Sequence, residues 1–169
     1  GSVRCVYGDD PCALFMPKTK FADNVMDEKT TRLVAQMHKA ITIIQFKLEG
    51  EIIRRRPEFE MDDRMLLHHI DLKRGVVHID GKEYTLKDTN WPTLDPRDPY
   101  RLSIEEEDLI RKILHSFESS EKMKKHMRCF FRHGGMYQVC NSNLLFHASI
   151  PMNPDGTFKS VRILGQDYK

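Results

Sequence analysis

The sequence predicts an α+β chain with a mainly helical body followed by a short β segment. Apolar residues recur at helical spacing from about Asp27 and again between residues 103 and 135, and the period shortens to two after Met136. A chain of 169 residues, 40% of them hydrophobic, is long enough for one folded domain. Because an isolated hairpin is only marginally stable, we expect the β segment to be the edge of a larger sheet whose other strands lie outside this chain.

Composition narrows the functional classes. The 27 basic and 25 acidic residues nearly cancel, so the charge of +2 gives no argument for a nucleic-acid or membrane partner, and we expect neither. The four cysteines form no C-x-x-C pair, which indicates reduced thiols in a cytoplasmic protein. No apolar run approaches the ~20 residues that span a bilayer, and the N-terminus lacks a secretory pattern.

The chain opens with Gly1-Ser2 and has no initiator Met. We interpret residues 1–2 as a cloning scar left by a cleaved expression tag, which suggests that the chain was cut from a larger protein.

A long helix is predicted after an N-terminal segment that is either irregular or a short helix. One apolar face recurs at spacings of three and four residues, and we expect this face to be buried. The helix ends at three arginines, because Pro57 blocks its continuation. The face consists of Leu33, Met37, Ile41, Ile44, Leu48 and Ile52.

The middle of the chain is predicted to contain short elements. Residues 62–70 are expected to form about two helical turns with Asp62 or Asp63 as the N-cap. Asp80-Gly81 is a dipeptide typical of a two-residue turn, so a hairpin is predicted around it. Residues 88–101 hold three prolines and are expected to form an ordered loop that Trp91 and Tyr100 fix in place.

Two further helices are predicted before the β segment. Ser103 and Glu106 match a capping box, and Ser119-Ser120 separates the two helices. Gly134-Gly135 is expected to end the second helix in a left-handed conformation. The expected apolar faces are Ile104, Leu109, Ile110, Ile113, Leu114 and Phe117 on the first helix, and Met123, Met127, Phe130 and Phe131 on the second.

The β segment is predicted to contain three strands. These are Met136 to Cys140, Leu144 to His147 and Phe158 to Leu164, with turns at Asn141-Ser142 and at residues 153–156. His147 therefore lies at a strand exit, before the loop marked by Pro151. Such a histidine is either a metal ligand or an ordinary polar residue at a strand end.

Other candidate groups have structural alternatives. The neighbouring histidines His68 and His69 point about 100° apart on a helix and rarely bind one ion. Arg54, Arg55 and Arg56 are candidates to bind phosphate, but the interpretation we favour is a solvated helix end at which basic side chains complement the helix dipole. The basic, phenylalanine-containing stretch from Lys122 to Arg132 is compatible with nucleic-acid binding, but we expect its apolar residues to be core instead.

His133-Gly134-Gly135 resembles the His-Gly-Gly of metal-dependent phosphoesterases. In those sites the histidine follows a strand, whereas His133 is expected at a helix end, so the context favours His147 as the ligand. The 169 residues contain no P-loop, no G-x-G-x-x-G, no G-x-S-x-G and no H-E-x-x-H. No complete catalytic motif is present.

Three stretches resemble the class III fructose-1,6-bisphosphatases of the calcineurin-like metallophosphoesterase superfamily. They are IIRRRPEFEMDDR, DTNWPTLDPRDPYRLS and NLLFHASIPMNPDGTF. The resemblance implies a two-metal hydrolase, usually manganese-dependent, that removes the 1-phosphate of fructose 1,6-bisphosphate in gluconeogenesis. Two metal ions would bind the phosphoryl oxygens and lower the pKa of a bound water.

The resemblance assigns one metal ligand to this chain. Superfamily ligands come from G-D, G-D-x-x-D-R-G, G-N-H, a strand-end His and a late G-H, and only the strand-end His is matched here, by His147. Ala148-Ser149 stands where phosphoprotein phosphatases have Gly-Gly. The resemblance assigns no other catalytic residue, and we expect the isolated chain to be inactive.

The resemblance also implies a domain organisation. Residues 3–135 would be a mainly helical insertion region, and residues 136–169 a partial β segment of the metallophosphatase sandwich. As an alternative, residues 3–135 are a non-catalytic module for oligomerisation or allosteric control, which allows a homo-oligomer. A nucleic-acid-binding helix pair is a third possibility.

Overall fold

A computed structural model of the chain describes residues 2–17 and 27–168. Gly1, half of the predicted cloning scar, and residues 18–20 of the N-terminal segment lie outside the described residues. Helices and small antiparallel sheets are both present, which confirms the predicted α+β class. The chain divides into two compact units, residues 1–110 and residues 111–169. The predicted boundary between residues 135 and 136 falls inside the second unit and stays a prediction about the longer protein.

The described residues form four α-helices and seven short strands. The helices are α1 (Ser2–Tyr7), α2 (Glu28–Arg55), α3 (Ile104–Ser119) and α4 (Glu121–His133). The strands are β1 (Ile70–Asp71), β2 (Val76–Ile79), β3 (Lys82–Thr85), β4 (Tyr137–Cys140), β5 (Asn143–Phe146), β6 (Val161–Ile163) and β7 (Gln166–Tyr168). None of the described helices is long and apolar enough to cross a membrane.

Helix α2 has the predicted bounds but buries a different face. Asp27 caps its start by accepting a hydrogen bond from the Thr30 N–H at 2.9 Å. Of the predicted apolar face, Ile44 is buried, but Met37, Ile41 and Ile52 are 51%, 45% and 47% exposed, so the expected burial of this face is confirmed only in part. The buried residues are Ala35, Gln36, Lys39, Ala40, Ile43, Ile44, Lys47, Gly50 and Ile53.

Gly50 lies on the buried face of α2 because Tyr100 packs directly against it. A Cβ atom at position 50 would lie 2.0 Å from Cδ1 of the Tyr100 ring. Tyr100 is itself buried in a cluster with Ile53, Met65, Leu67 and Leu94. The close approach of ring and helix therefore requires glycine, although glycine is an unfavourable residue inside a helix.

Replacing Gly50 by alanine is expected to lower the free energy of unfolding by about 2 kcal/mol. Alanine favours the helix by about 1 kcal/mol, but overpacking typically destabilises by about 1 to 3 kcal/mol, and here a whole aromatic ring must move. Urea unfolding of the isolated chain measures the change. Gln45→Ala, at an exposed position of the same helix, is the control and is expected to be neutral or slightly stabilising. A Gly50→Ala variant as stable as this control would contradict the packing argument.

Residues 62–70 form tight turns instead of the predicted α-helical turns. Two 3₁₀ turns cover Asp62–Arg64 and Leu67–His69, and neither has a side-chain cap. The Leu67 N–H donates a hydrogen bond to the Tyr100 hydroxyl at 3.1 Å. This bond satisfies a backbone donor from outside the segment, so a continuous helix is not needed there.

The predicted hairpin is present and has one additional strand. Strands β2 and β3 pair in antiparallel register across Asp80-Gly81, whose φ angles are 49° and 72°. These positive angles are those of the two-residue turn predicted from the dipeptide. The two-residue strand β1 pairs with β2 and was not predicted.

The 88–101 loop and the capping box are as predicted. Trp91 Nε1 donates a hydrogen bond to the Asp88 carbonyl at 3.0 Å, and Tyr100 is buried. The Ser103 N–H donates to Glu106 Oε2 at 2.8 Å, and the Glu106 N–H donates to Ser103 Oγ at 3.3 Å. These reciprocal bonds start α3 at Ile104.

The second unit has no buried residue between Arg111 and Tyr168. Phe130 and Phe131 of α4 are 70% and 85% exposed, so the expectation that they are core was wrong for this chain. Two helices and small hairpins lack the second layer of structure that would cover an apolar face.

The turn after α4 also differs from the prediction. Gly134 has φ −74° and ψ 154°, which is not left-handed. A Cβ atom there would lie 2.5 Å from the Phe130 carbonyl oxygen, so close packing rather than a positive φ favours glycine.

The last strand is shorter than predicted and belongs to a hairpin. Residues 161–163 form β6, which pairs with β7 across a turn at Leu164-Gly165, where both φ angles are positive. The predicted turn at residues 153–156 is present, with the Gly156 N–H bonded to the Asn153 carbonyl at 3.0 Å. Strands β4 and β5 form a separate two-stranded sheet.

Candidate functional site

The β4–β5 hairpin positions His147. Tyr137 pairs with Phe146 and Cys140 pairs with Asn143, so the hairpin turn is Asn141-Ser142, as predicted. Both turn residues have positive φ, 49° and 63°. Strand β5 ends one residue earlier than predicted, and His147 follows it directly as an exposed side chain.

His147 and His133 line one open cavity of about 520 Å³. Its wall combines the end of α4, the two glycines that follow and the paired ends of β4 and β5. The sequence offered the two histidines as alternatives, whereas the structure places both beside the same space. Besides the histidines, the lining includes Gly134, Gly135, Tyr137 and Phe146.

The described residues do not form a complete metal centre. Among residues 2–17 and 27–168, no group of three or more His, Cys, Asp or Glu side chains is arranged to hold a metal ion. A divalent metal in a protein site usually takes at least three protein ligands, so His147 can be only one member of such a set. The remaining ligands would have to come from other parts of a longer protein.

The three arginines at the end of α2 make contacts within the chain. Arg54 Nη1 lies 3.2 Å from Glu51 Oε1 and 3.1 Å from Asp98 Oδ1. Arg56 Nε lies 2.6 Å from a Glu58 oxygen, and Arg55 Nε donates to the Glu51 carbonyl at 3.2 Å. All three side chains remain partly exposed, so their role as phosphate ligands stays a prediction.

The His68 and His69 rings contact each other at a tilt of 42°. Their ring centroids lie 3.9 Å apart, and His68 Nδ1 lies 2.9 Å from the Tyr100 hydroxyl. Burial lowers the pKa of His68, and the neighbouring His69 and Arg54 add to the effect. His68 therefore supports the position of Tyr100.

A buried charge cluster around Lys39 was not predicted. Lys39 Nζ lies 2.7 Å from Asp10 and 2.8 Å from Asp88, and its side chain is 1% exposed. Burial alone would lower the pKa of Lys39, but the two carboxylates outweigh it and raise the pKa. Burial likewise opposes ionisation of Asp10, but the hydrogen bonds from Lys39, Cys12 and Asn90 lower its pKa. The cluster connects the N-terminal segment and the 88–101 loop to α2.

A second buried ion pair connects α2 to the start of α3. Lys47 Nζ lies 2.7 Å from Glu106 Oε2 and donates a hydrogen bond to the Thr93 carbonyl at 2.6 Å. The two side chains are 0% and 7% exposed. A sequence signal for this face does exist, because Ala35, Ala40 and Gly50 are small and lie on the same side of α2 as both lysines.

Comparison with protein families gives a match over nearly the whole chain. The model of the family described as Firmicute fructose-1,6-bisphosphatase matches residues 3–169. No solved structure matches the chain.

Three similar curated proteins share the same name. A Parabacteroides distasonis protein is 98% identical over 163 residues, a Bacteroides fragilis protein 65% over 162 residues and a Clostridioides difficile protein 51% over 164 residues. Each is named fructose-1,6-bisphosphatase class 3. The alignments cover 96%, 96% and 97% of this chain and 24% of each relative.

The chain therefore spans about a quarter of the length of the curated relatives that it matches. The family match covers far more than half of the chain, and it agrees with the three stretches that resembled this family in the sequence. The chain belongs to the Firmicute fructose-1,6-bisphosphatase family.

Proposed function

We propose that the full-length protein containing this chain hydrolyses fructose 1,6-bisphosphate to fructose 6-phosphate and phosphate, as a cytoplasmic enzyme of gluconeogenesis. The observation that supports this function is the family match over residues 3–169. The name shared by relatives from Parabacteroides and Bacteroides agrees with it. The proposed substrate and reaction are taken from the names of these relatives, because residues 2–17 and 27–168 form no complete metal centre.

His147 is proposed as one metal ligand of that enzyme. Its imidazole is exposed at a strand exit and lines a cavity, so it is accessible to an ion held by ligands from elsewhere in the longer protein. Manganese is the proposed metal, in a two-metal site. Metal ions in such a site supply charge stabilisation and an activated water.

The second unit is proposed to be part of a metallophosphatase sandwich. Its large side chains are exposed, including Phe130, Phe131 and Tyr137, and no residue between 111 and 168 is buried. A sandwich would provide the missing layer and cover these side chains. The isolated chain is proposed to be inactive, because His147 alone cannot hold two metal ions.

The test uses a full-length test protein, the Parabacteroides distasonis relative with this chain in place of its matching quarter. After removal of metal with EDTA, the protein is assayed for phosphate release with and without added Mn²⁺. We expect Mn²⁺-dependent release from fructose 1,6-bisphosphate, and much slower release from fructose 6-phosphate and from p-nitrophenyl phosphate. Equal rates on all three compounds, or no release with Mn²⁺, would reject the proposed substrate.

A homo-oligomer is the second proposal, and the outward face of α2 favours it. Ile41, Ile52 and Phe59 are 45%, 47% and 46% exposed and line one apolar groove with Leu48, Met61 and Ile110. Exposed apolar surface of this kind is typical of contact sites. The mass of the full-length test protein in light scattering tests this proposal. An Ile41→Asp/Ile52→Asp variant with an unchanged oligomeric mass would count against α2 as the interface.

A further inference from the structure

The hydroxyl of Tyr100 connects three parts of the first unit. It bonds to the Leu67–His69 turn through a backbone N–H and an imidazole, and Tyr100 itself belongs to the 88–101 loop. Its ring packs on α2 at Gly50. We propose that the hydrogen bond between Tyr100 and His68 is a pH-sensitive switch, which breaks when His68 gains a proton and then loosens the turn from the loop and from α2.

The hydrogen bonds at the hydroxyl determine where each proton lies. The Leu67 N–H donates to the Tyr100 oxygen at 3.1 Å, and the backbone N–H of His68 lies beside the same oxygen and also acts as a donor. Because the oxygen has only two lone pairs, its own O–H is the donor to His68 Nδ1, 2.9 Å away. His68 is therefore neutral in this arrangement, with its proton on Nε2.

Protonation of His68 removes the acceptor for this hydroxyl. The imidazolium has an N–H on both nitrogens, so two donors would face each other, the Tyr100 O–H and the Nδ1–H. Tyr100 is 1% exposed, and water does not easily replace the lost acceptor. His68 itself is exposed and exchanges protons with the solvent. A buried hydroxyl without an acceptor therefore destabilises the closed arrangement at low pH.

The groups that face His68 from α2 and from its own turn disfavour the imidazolium. Burial has the largest effect in lowering the pKa of His68, and His69 and Arg54 lower it further. The Arg54 guanidinium lies over the tyrosine ring, 4.6 Å from the ring centroid. Its carboxylate partners, Glu51 at 3.2 Å and Asp98 at 3.1 Å, offset its charge only in part.

The titratable groups on the neighbouring strands have other partners. Strand β2 packs beside the Leu67–His69 turn, and its one titratable side chain, His78, lies 3.7 Å from Glu83 of β3. Asp71 of β1 accepts hydrogen bonds from two backbone N–H groups of the turn that follows it. These carboxylates are engaged elsewhere and do not stabilise a proton on His68.

The expected pH dependence has a defined direction. The pKa of His68 in the folded chain lies below the value of about 6.5 for an unperturbed histidine. Folding therefore disfavours protonation of His68. The stability that depends on its neutral form is complete above a pH of about 6.5 and is lost as the pH falls through the pKa of the folded state.

The test compares the isolated chain with two variants at about pH 7.5 and about pH 5, on either side of the titration of histidine. His68→Asn keeps a neutral acceptor, the amide oxygen, near the position of Nδ1 but does not titrate in this range. His69→Asn is the matched control, because it removes the adjacent imidazole and leaves the bond between Tyr100 and His68. Trp91 is the only tryptophan and packs against the Tyr100 cluster, so its fluorescence during urea unfolding reports on this region.

We expect acidification to raise the unfolding equilibrium constant of the parent by about fivefold more than that of His68→Asn, as the loss of one hydrogen bond does. The Leu67 amide should lose protection from hydrogen exchange by a similar factor, after correction for the intrinsic effect of pH. His69→Asn should keep most of the response of the parent. In ¹⁵N NMR spectra at the higher pH, His68 of the parent should be the Nε2–H tautomer.

Three results would overturn the proposal. The first is a pH response of His68→Asn within twofold of that of the parent. The second is an Nδ1–H tautomer of His68 at the higher pH, because Nδ1 then cannot accept from Tyr100. The third is an equal loss of the response in His69→Asn, which would assign the pH dependence to the histidine pair. If His68→Asn does not fold, the tautomer and the exchange of the Leu67 amide in the parent still decide the question.

Discussion

The full-length test protein with His147→Ala is expected to lose at least about 1,000-fold in kcat on fructose 1,6-bisphosphate. Metal ions contribute several kcal/mol of charge stabilisation to phosphoryl transfer, and each 1.4 kcal/mol corresponds to about tenfold in rate. His147 is the single residue of this chain that the family pattern assigns to the metal, and it is exposed at the exit of β5. The bound Mn²⁺, measured by elemental analysis after gel filtration, should decrease together with the rate.

His115→Ala is a suitable control for this prediction. His115 is an exposed histidine of α3 and does not line the His147 cavity. Its replacement should leave the rate and the metal content unchanged. A His147→Ala variant that retains both full Mn²⁺ and a rate within tenfold of the parent would show that His147 is an ordinary polar residue at a strand end.

Replacing Lys47 by alanine is expected to destabilise the isolated chain by about 4 kcal/mol, the largest effect on folding predicted for this chain. Removal of one partner from a buried ion pair leaves the other charge buried without compensation, which costs about 3 to 5 kcal/mol. Here the residual charge is Glu106, whose side chain is 7% exposed. The Thr93 carbonyl also loses the hydrogen bond from Lys47.

A double variant separates the charge from the packing. Lys47→Met preserves most of the side-chain volume, and Glu106→Gln removes the charge but keeps an oxygen that can accept the Ser103 N–H hydrogen bond. Buried ion pairs can often be replaced by neutral side chains at little loss. We expect the double variant to regain most of the stability lost in Lys47→Ala, as measured by urea unfolding. If the double variant is as unstable as Lys47→Ala, the loss comes from packing and not from the uncompensated charge.

Two local signals in the sequence predicted a turn and a helix start correctly. The Asp80-Gly81 turn and the Ser103–Glu106 capping box depend on residues at most three positions apart, and both have the predicted geometry. Such features are determined by short-range sterics and hydrogen bonds.

Burial was predicted less well, because it depends on distant partners. Helix α2 turns Lys39 and Lys47 inward, and their carboxylate partners Asp10, Asp88 and Glu106 all lie at least 29 residues away in the chain. Hydrophobic periodicity predicts that the side of a helix with isoleucines is buried and the side with lysines is exposed. It takes no account of carboxylates elsewhere in the chain that pair with the lysines. The packing of Tyr100 on Gly50 was missed for the same reason, since the two residues lie 50 positions apart.

The candidate site was predicted in part. The strand exit at His147 follows from the alternation of residues 136–147 and a two-residue turn. The proximity of His133 to the same cavity was not predicted, because it depends on how the chain leaves α4 at Gly134. The metal assignment of His147 comes from the family resemblance, since a single histidine carries little information about a metal site.

The central claim is that this chain contributes one ligand to a phosphatase site but does not itself form that site. The most direct test is phosphate release from fructose 1,6-bisphosphate by the isolated chain and by the full-length test protein, at equal concentration and saturating Mn²⁺. We predict release by the full-length test protein and none above background by the isolated chain. Release by the isolated chain at a rate near that of the full-length test protein would contradict the claim.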